Sequence, residues 1–226
     1  MIRALVFDFD GVVLDTETPF FRSWQEIYRE HGFDLSMEEW ASMLGSLSDP
    51  EGPYEQLEDH LGIPLDREAI RTRRSKREME LLESENILPG VEAVMHEGRR
   101  LGLALSVASS SDRHWVTSHL KRFDLLSQFE SIKCAEDVEF TKPFPDLYQA
   151  VLLSLNIQAS QAIAFEDTLN GVLAAKRAGL YCVAIPNPIT RYSPIPEADM
   201  VVQSLRDVIL EELIEKVNIQ SELSTE

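Results

Sequence analysis

The stretch Ala4-Leu5-Val6-Phe7-Asp8-Phe9-Asp10-Gly11-Val12-Val13-Leu14-Asp15-Thr16-Glu17 decides how the chain is read. The apolar run from Ile2 to Phe7 is rich in β-favouring residues and reads as a buried strand. It stops abruptly at Asp-x-Asp-Gly. Side chains two apart on an extended segment share a face, so Asp8 and Asp10 are expected side by side at the carboxyl end of the strand, with Phe9 turned away. Two carboxylates that close repel unless a positive group lies between them or one of them works as an acid. Standing alone, Asp-x-Asp-Gly equally describes a turn. Its meaning depends on what the rest of the chain brings to it.

Immediately downstream the pattern is helical. Thr18 and Pro19 fit an N-cap and first helical position, and Phe20, Phe21, Trp24, Ile27 and Tyr28 come after them at helical spacing to a stop at Gly32. Ser36 with Glu39 fits a capping box, opening a short helix with Trp40, Met43 and Leu44 that ends at Gly45. Pro53 to Leu61 reads as a third helix, closed by Gly62, and Asp66 is placed to cap a fourth. No convincing strand occurs between Thr18 and about Asn86.

At Leu88-Pro89-Gly90 the pattern changes to helices alternating with short apolar runs. Helices are expected at 91–101, 112–121, 145–155 and 168–178, and strands at 103–108, 131–134, 161–165 and 181–185. A Pro-rich loop then leads to a possible edge strand at 200–202, a last helix near 205–216 and a frayed end from Gln220. Such alternation predicts an α/β fold, a Rossmann-like, doubly wound parallel sheet with helices on both faces. The helical block is an insertion: residues 1–15 and 88–226 form the core domain and 16–87 an α-helical cap, hinged at its two connections.

The bulk composition limits the partners. The 226 residues carry 39 acids against 21 bases, a formal net charge of −18, which argues against nucleic acid or an anionic membrane surface as a partner. Cys134 and Cys182 lack metal-ligand spacing and are expected to be buried thiols, which favours a reducing compartment. With no signal-like or spanning apolar segment, a cytoplasmic location is expected.

In open α/β sheets ligands bind beyond the carboxyl ends of the strands, so the residues just past each apolar run are the test of a site. The first strand ends in Asp8 and Asp10, and the second runs into Ser109-Ser110-Ser111-Asp112, hydroxyls and N–H groups that open a helix and suit an anion. After the third comes Thr141-Lys142-Pro143, with Lys142 isolated among Glu136, Asp137 and Glu139; the fourth ends in Glu166-Asp167. Taken singly, each piece is equally a helix cap or a solvated loop residue. Together they converge on one rim. Carboxylates from two strand ends suit a hard divalent cation, Mg²⁺ by ligand type, while hydroxyl, N–H and Lys suit a phosphoryl group bridging to it.

These residues resemble the four motifs of the haloacid dehalogenase superfamily. The resemblance rests on Asp8-Phe9-Asp10-Gly11-Val12 with Asp15-Thr16-Glu17, on Ser109, on Lys142-Pro143 with Pro145-Asp146, and on Phe165-Glu166-Asp167-Thr168 with Asn170-Gly171. The insertion after the first motif is similar to the small helical cap of the β-phosphoglucomutase-like phosphatases. The resemblance implies that Asp8 is the nucleophile, forming an aspartyl-phosphate, and that Asp10 is the general acid and then the general base. It implies Mg²⁺ held by Asp8, the Asp10 main-chain carbonyl, Asp167 and Glu166, and phosphoryl oxygens held by Ser109, Ser110 and Lys142.

Asp10 sorts the reactions within the superfamily, because dehalogenases and phosphonate-cleaving members usually lack that carboxylate. A phosphatase acting on a small phosphorylated metabolite, such as a sugar phosphate, is the expectation. The alternatives are a β-phosphoglucomutase-type mutase and a non-catalytic phospho-ligand-binding protein. The mutase His and Arg positions align with Phe20 and Ser48 here, which weakens that alternative. Specificity is expected in the cap at Phe20, Trp24, Ser46 and Ser48, with Met43 and Leu44. The basic run Arg67, Arg71, Arg73, Arg74, Lys76 and Arg77 reads as a solvated helix face, and His114 and His119 receive no role. The chain is expected to be a monomer or a weak homo-oligomer.

Overall fold

The computed structural model describes residues 1–43, 51–192 and 194–223. Among them, six strands form one parallel sheet: β1 (Ala4–Phe7), β2 (Ala104–Ala108), β3 (Ser131–Lys133), β4 (Ala162–Glu166), β5 (Tyr181–Ala184) and β6 (Met200–Val201), in the order β3-β2-β1-β4-β5-β6. Every strand pair is parallel, so each connection must cross over, and α-helices lie in the crossovers as far as β5, while a Pro-rich loop leads from β5 to β6. This is the doubly wound α/β class expected from the alternating pattern. β1 is central and all four of its residues are buried, as a strand covered on both faces requires. The strand order reverses beside it, where β2 lies on one side and β4 on the other, so the carboxyl end of β1 opens into the crevice at the switch point.

The chain divides into two compact units: Met1–Leu14 with Ile87–Asn187 and Pro194–Glu226, and Asp15–Asn86 with Pro188–Ser193. In the first, β1 and β4 supply small and branched residues (Ala4, Val6, Ala162, Ala164) to one face of the sheet, against Leu147, Tyr148 and Val151 of α7 (Asp146–Leu155) and Val172, Ala174 and Ala175 of α8 (Leu169–Arg177). The second is helical: α1 (Glu17–Glu30), α2 (Met37–Met43), α3 (Gly52–Leu61) and α4 (Arg67–Leu82) close around Trp24, Tyr28, Trp40, Tyr54 and Leu57. Ile189, from the Pro-rich stretch after β5, joins this helical core, a return that the sequence pattern did not announce.

The capping signals in the sequence mostly act as expected. Ser36 and Glu39 form a reciprocal capping box, Asp66 accepts from Ala69 N–H at 3.0 Å, Thr168 accepts from Gly171 N–H at 3.1 Å, and Gly62 takes the left-handed conformation that ends α3. At α1 the helix begins earlier than Thr18: Asp15 accepts the Thr18 N–H at 2.9 Å and so takes the capping role assigned to Thr18. The last helix also differs from its expected span. Ser204 opens a single 3-10 turn at Leu205–Asp207, Val208 is extended, and α9 runs Leu210–Leu223, so the helix continues over 220–223, where fraying was expected, and 224–226 lie outside the described residues. Its buried Leu210, Leu213 and Val217 anchor the first turns of the helix by an apolar stripe. Two further helices complete the first unit, α5 (Val91–Arg100) and α6 (Arg113–Arg122).

Candidate active site

The carboxyl ends of β1 and β4 bring three carboxylates together. Asp8, Glu166 and Asp167 are all buried, and each offers a carboxylate oxygen within 4.8 Å of the other two. Lys142, from the loop after β3, reaches into the group with Nζ 2.8 Å from Asp8 Oδ1 and 2.7 Å from Glu166 Oε1. Asp8 Oδ1 also accepts the Phe9 N–H at 2.7 Å, while Oδ2 accepts no hydrogen bond among the described residues. Three buried carboxyl groups thus stand against one ammonium. Burial, followed by Glu166, pushes Asp8 well above the ordinary carboxylate pKa despite the opposing effect of Lys142. Burial works against the charge on Lys142, but Asp8 and Glu166 outweigh it and hold the ammonium more firmly protonated than usual.

Glu166 is held by residues from two helices. Tyr148, buried in α7, donates its hydroxyl to Oε1, the oxygen that Lys142 also contacts. Burial and Glu166 raise the Tyr148 pKa well above its usual value, so it remains a donor. Oε2 is buried and has no hydrogen-bond partner among the described residues. It lies against Gly171 in the first turn of α8, where a Cβ would come within 1.8 Å of it; no other residue leaves room for the carboxylate. Gly11 has the same function for Asp167: its φ of +75° turns the chain after β1, and a Cβ there would lie 2.2 Å from Asp167 Oδ2. That oxygen accepts from Asn187 Nδ2 at 2.8 Å.

An all-oxygen donor set with surplus negative charge and a buried carboxylate oxygen lacking a hydrogen bond fits a hard divalent cation. Asp8, Glu166 and Asp167 are the side chains that would hold it.

Asp10 faces elsewhere. Its Oδ2 accepts from Ser111 Oγ at 2.6 Å and Ser109 Oγ at 3.3 Å, and its Oδ1 accepts from the Trp115 indole N–H at 2.9 Å. Ser109 is buried at the end of β2, whereas Ser110 is exposed and its hydroxyl makes no hydrogen bond among the described residues. The sequence reading missed Ser111, Trp115, Tyr148 and Asn187 as site residues. Ser111 stands in the hydroxyl run already singled out; the other three carry no local signal.

Of the specificity residues expected in the helical unit, Ser46 and Ser48, with Leu44, lie outside the described residues. Trp24 is fully buried against Tyr54, 4.6 Å between ring centroids, so it serves the core of that unit. Phe20 is half-buried, edge-on to Trp40 at 5.3 Å. The basic helix α4 is paired mostly within its own unit: Arg67 with Glu58 and Glu51, Arg73 with Glu30, and Arg77 with Glu26 and Glu80. Arg74 departs from the solvated face expected of it. It is buried, with its guanidinium 4.6 Å from the Phe20 ring centroid and 2.6 Å from Glu78.

The model of the haloacid dehalogenase-like hydrolase family matches residues 5–185, and the chain belongs to that family. Among its relatives, a Bacillus subtilis protein named "Putative phosphatase YhcW" is 41% identical over 221 residues, covering 98% of this chain and 100% of that protein. Hexitol phosphatase B of Escherichia coli is 26% identical, covering 94% and 97%. The crystal structure of CbbY from Rhodobacter sphaeroides in complex with phosphate is similar with a TM-score of 0.73 and 28% identity, covering 95% of this chain and 100% of that one. No helix among the described residues is long and apolar enough to cross a membrane.

Proposed function

We propose that the protein is a Mg²⁺-dependent phosphatase that hydrolyses a small phosphate monoester of the sugar-phosphate class through an aspartyl-phosphate on Asp8. The observation that carries this reading is the juxtaposition of Lys142 with Asp8 and Glu166 at 2.8 and 2.7 Å in a pocket of three buried carboxylates. Bound at Asp8, Glu166 and Asp167, with the Asp10 main-chain carbonyl, Mg²⁺ would neutralise surplus charge and act as a Lewis acid toward the phosphoryl oxygens.

The chain's own residues would do the rest. Asp8 attacks phosphorus in line, forming a carboxylate O–P bond as the ester P–O bond breaks. Asp10 delivers a proton to the departing alkoxide. It then takes a proton from the water that attacks phosphorus, and inorganic phosphate leaves as the Asp8 carboxylate is restored. Lys142 and the Ser109 hydroxyl bind the phosphoryl oxygens, with Ser110 contributing at the helix entrance. Phe20, where the mutases carry a His, supports hydrolysis over phosphoryl return. Relatives named as phosphatases, one of them a hexitol phosphatase, support the substrate class.

Phosphate release from a panel of sugar phosphates and other small esters, with Mg²⁺ and with chelator, tests the reading. Metal-dependent release that Asp8→Asn lacks is expected. Equal release by Asp8→Asn, purified free of host phosphatases, would sink it.

A further inference from the structure

We propose that Trp115 is a positioning residue that, with Ser111, fixes the orientation of the Asp10 carboxylate. The inference rests on the acid–base role proposed for Asp10.

Asp10 lies beyond the end of β1 and is only half-buried, so without partners its carboxylate would be free to rotate toward water. It is held at both oxygens from one short segment: Trp115 Nε1 at 2.9 Å on Oδ1, and Ser111 Oγ at 2.6 Å with Ser109 Oγ at 3.3 Å on Oδ2. Two-ended restraint fixes both side-chain torsions.

The two ends differ chemically. An indole N–H only donates, so it holds Oδ1 as an acceptor at one fixed position. A hydroxyl donates or accepts by rotating, so Ser109 and Ser111 hold Oδ2 by a more adaptable contact. Oδ2 is therefore held on the side of the Ser109 hydroxyl proposed to bind the phosphoryl group.

The donor is itself braced. Trp115 sits in the first turn of α6, its own N–H bound by Asp112 at 2.7 Å, and its ring meets the buried His119 one turn later at 4.6 Å between centroids. His119 in turn stacks on Phe9, which neighbours Asp10 in the chain, at 6.2 Å. A tryptophan there is more than packing, because its one polar atom is aimed at the carboxylate.

The test is a double-mutant cycle of Trp115→Phe with Asp10→Asn, read as kcat and KM on the best ester of the panel, together with the ¹⁵N–¹H resonance of the Trp115 indole. Phenylalanine keeps an aromatic ring and deletes the donor. Trp115→Phe is expected to lower kcat about tenfold, a fraction of the general acid–base contribution, with KM changed less than about twofold. In the Asp10→Asn background it should cost nothing further. Asp10→Asn should also shift the indole resonance. The same loss in both backgrounds would overturn the inference, as would a kcat within twofold of wild type where Asp10→Asn is severely slowed. A wild-type protein that turns over no ester, yet whose indole still responds to Asp10→Asn, would strike the phosphatase reading and support the hold on Asp10.

Discussion

Replacing Asp8 by Asn should make the metal-free protein more stable while abolishing turnover. The ionised Asp8 faces two other carboxylates whose oxygens lie within 4.8 Å, and at an effective dielectric of about 20 each repulsion costs about 3.5 kcal/mol. Its attraction to Lys142 at 2.8 Å offsets about 6 kcal/mol of that on the same scale. The two nearly cancel, and the cost of burying an ionised carboxylate remains on the unfavourable side. Asparagine keeps the shape and an oxygen for the Phe9 N–H, so a gain of about 2 kcal/mol is expected, which raises Tm by about 4–8 °C for a chain of this size. Scanning calorimetry in chelator measures it directly. The raised pKa of Asp8 gives the sign: the folded state takes up that proton more readily than the unfolded chain, so the wild type's disadvantage grows as pH rises through the folded pKa. Adding Mg²⁺ should stabilise wild type more than Asp8→Asn. A metal-free Tm that falls on substitution would refute the reasoning, because Lys142 would then outweigh burial and repulsion together.

The same contacts have other consequences. Tyr148→Phe removes a hydrogen bond to a buried carboxylate, and should cost about 1–3 kcal/mol, seen as a Tm lower by about 2–12 °C. Gly171→Ala would gain about 1 kcal/mol by helix propensity alone, yet its Cβ would displace Glu166; Mg²⁺ titration of the activity should show affinity weakened about tenfold or more. Burial, then Arg122, holds His119 below its ordinary pKa against the opposing effect of Asp10, so the unfolded chain takes up that proton first. The stability this confers is present above about pH 6.5 and lost as pH falls below it, a slope in Tm that His119→Gln should flatten.

The parts of this protein that were legible in the sequence are those whose physics is local. Most strands announced themselves by a short apolar run, and most helix starts by a Ser, Thr or Asp whose oxygen caps them. The carboxylates, Ser109 and Lys142 could be seen because a parallel sheet lines up its strand ends, so position in the chain maps onto position on the rim. Tyr148, Trp115 and Asn187 could not be seen in this way. Tyr148 looks like another apolar residue of an amphipathic helix until the fold turns its hydroxyl onto Glu166. Trp115 lies 105 residues from Asp10, and only the pairing of β1 with β2 brings the two together. Asn187 and Ile189 come after β5 in a stretch without periodicity, yet one binds Asp167 and the other enters the helical core. Ile189 places Pro188–Ser193 with the second unit, which no local pattern shows.

The central claim is that phosphate passes through a covalent bond to Asp8. Rapid quenching during turnover with Mg²⁺, followed by borohydride reduction, converts an aspartyl-phosphate to homoserine, which peptide mass spectrometry locates. The account predicts homoserine at position 8, dependent on substrate and Mg²⁺, and none at Asp10. Turnover with no reducible acyl-phosphate at Asp8, or with the label at another carboxylate, would contradict it.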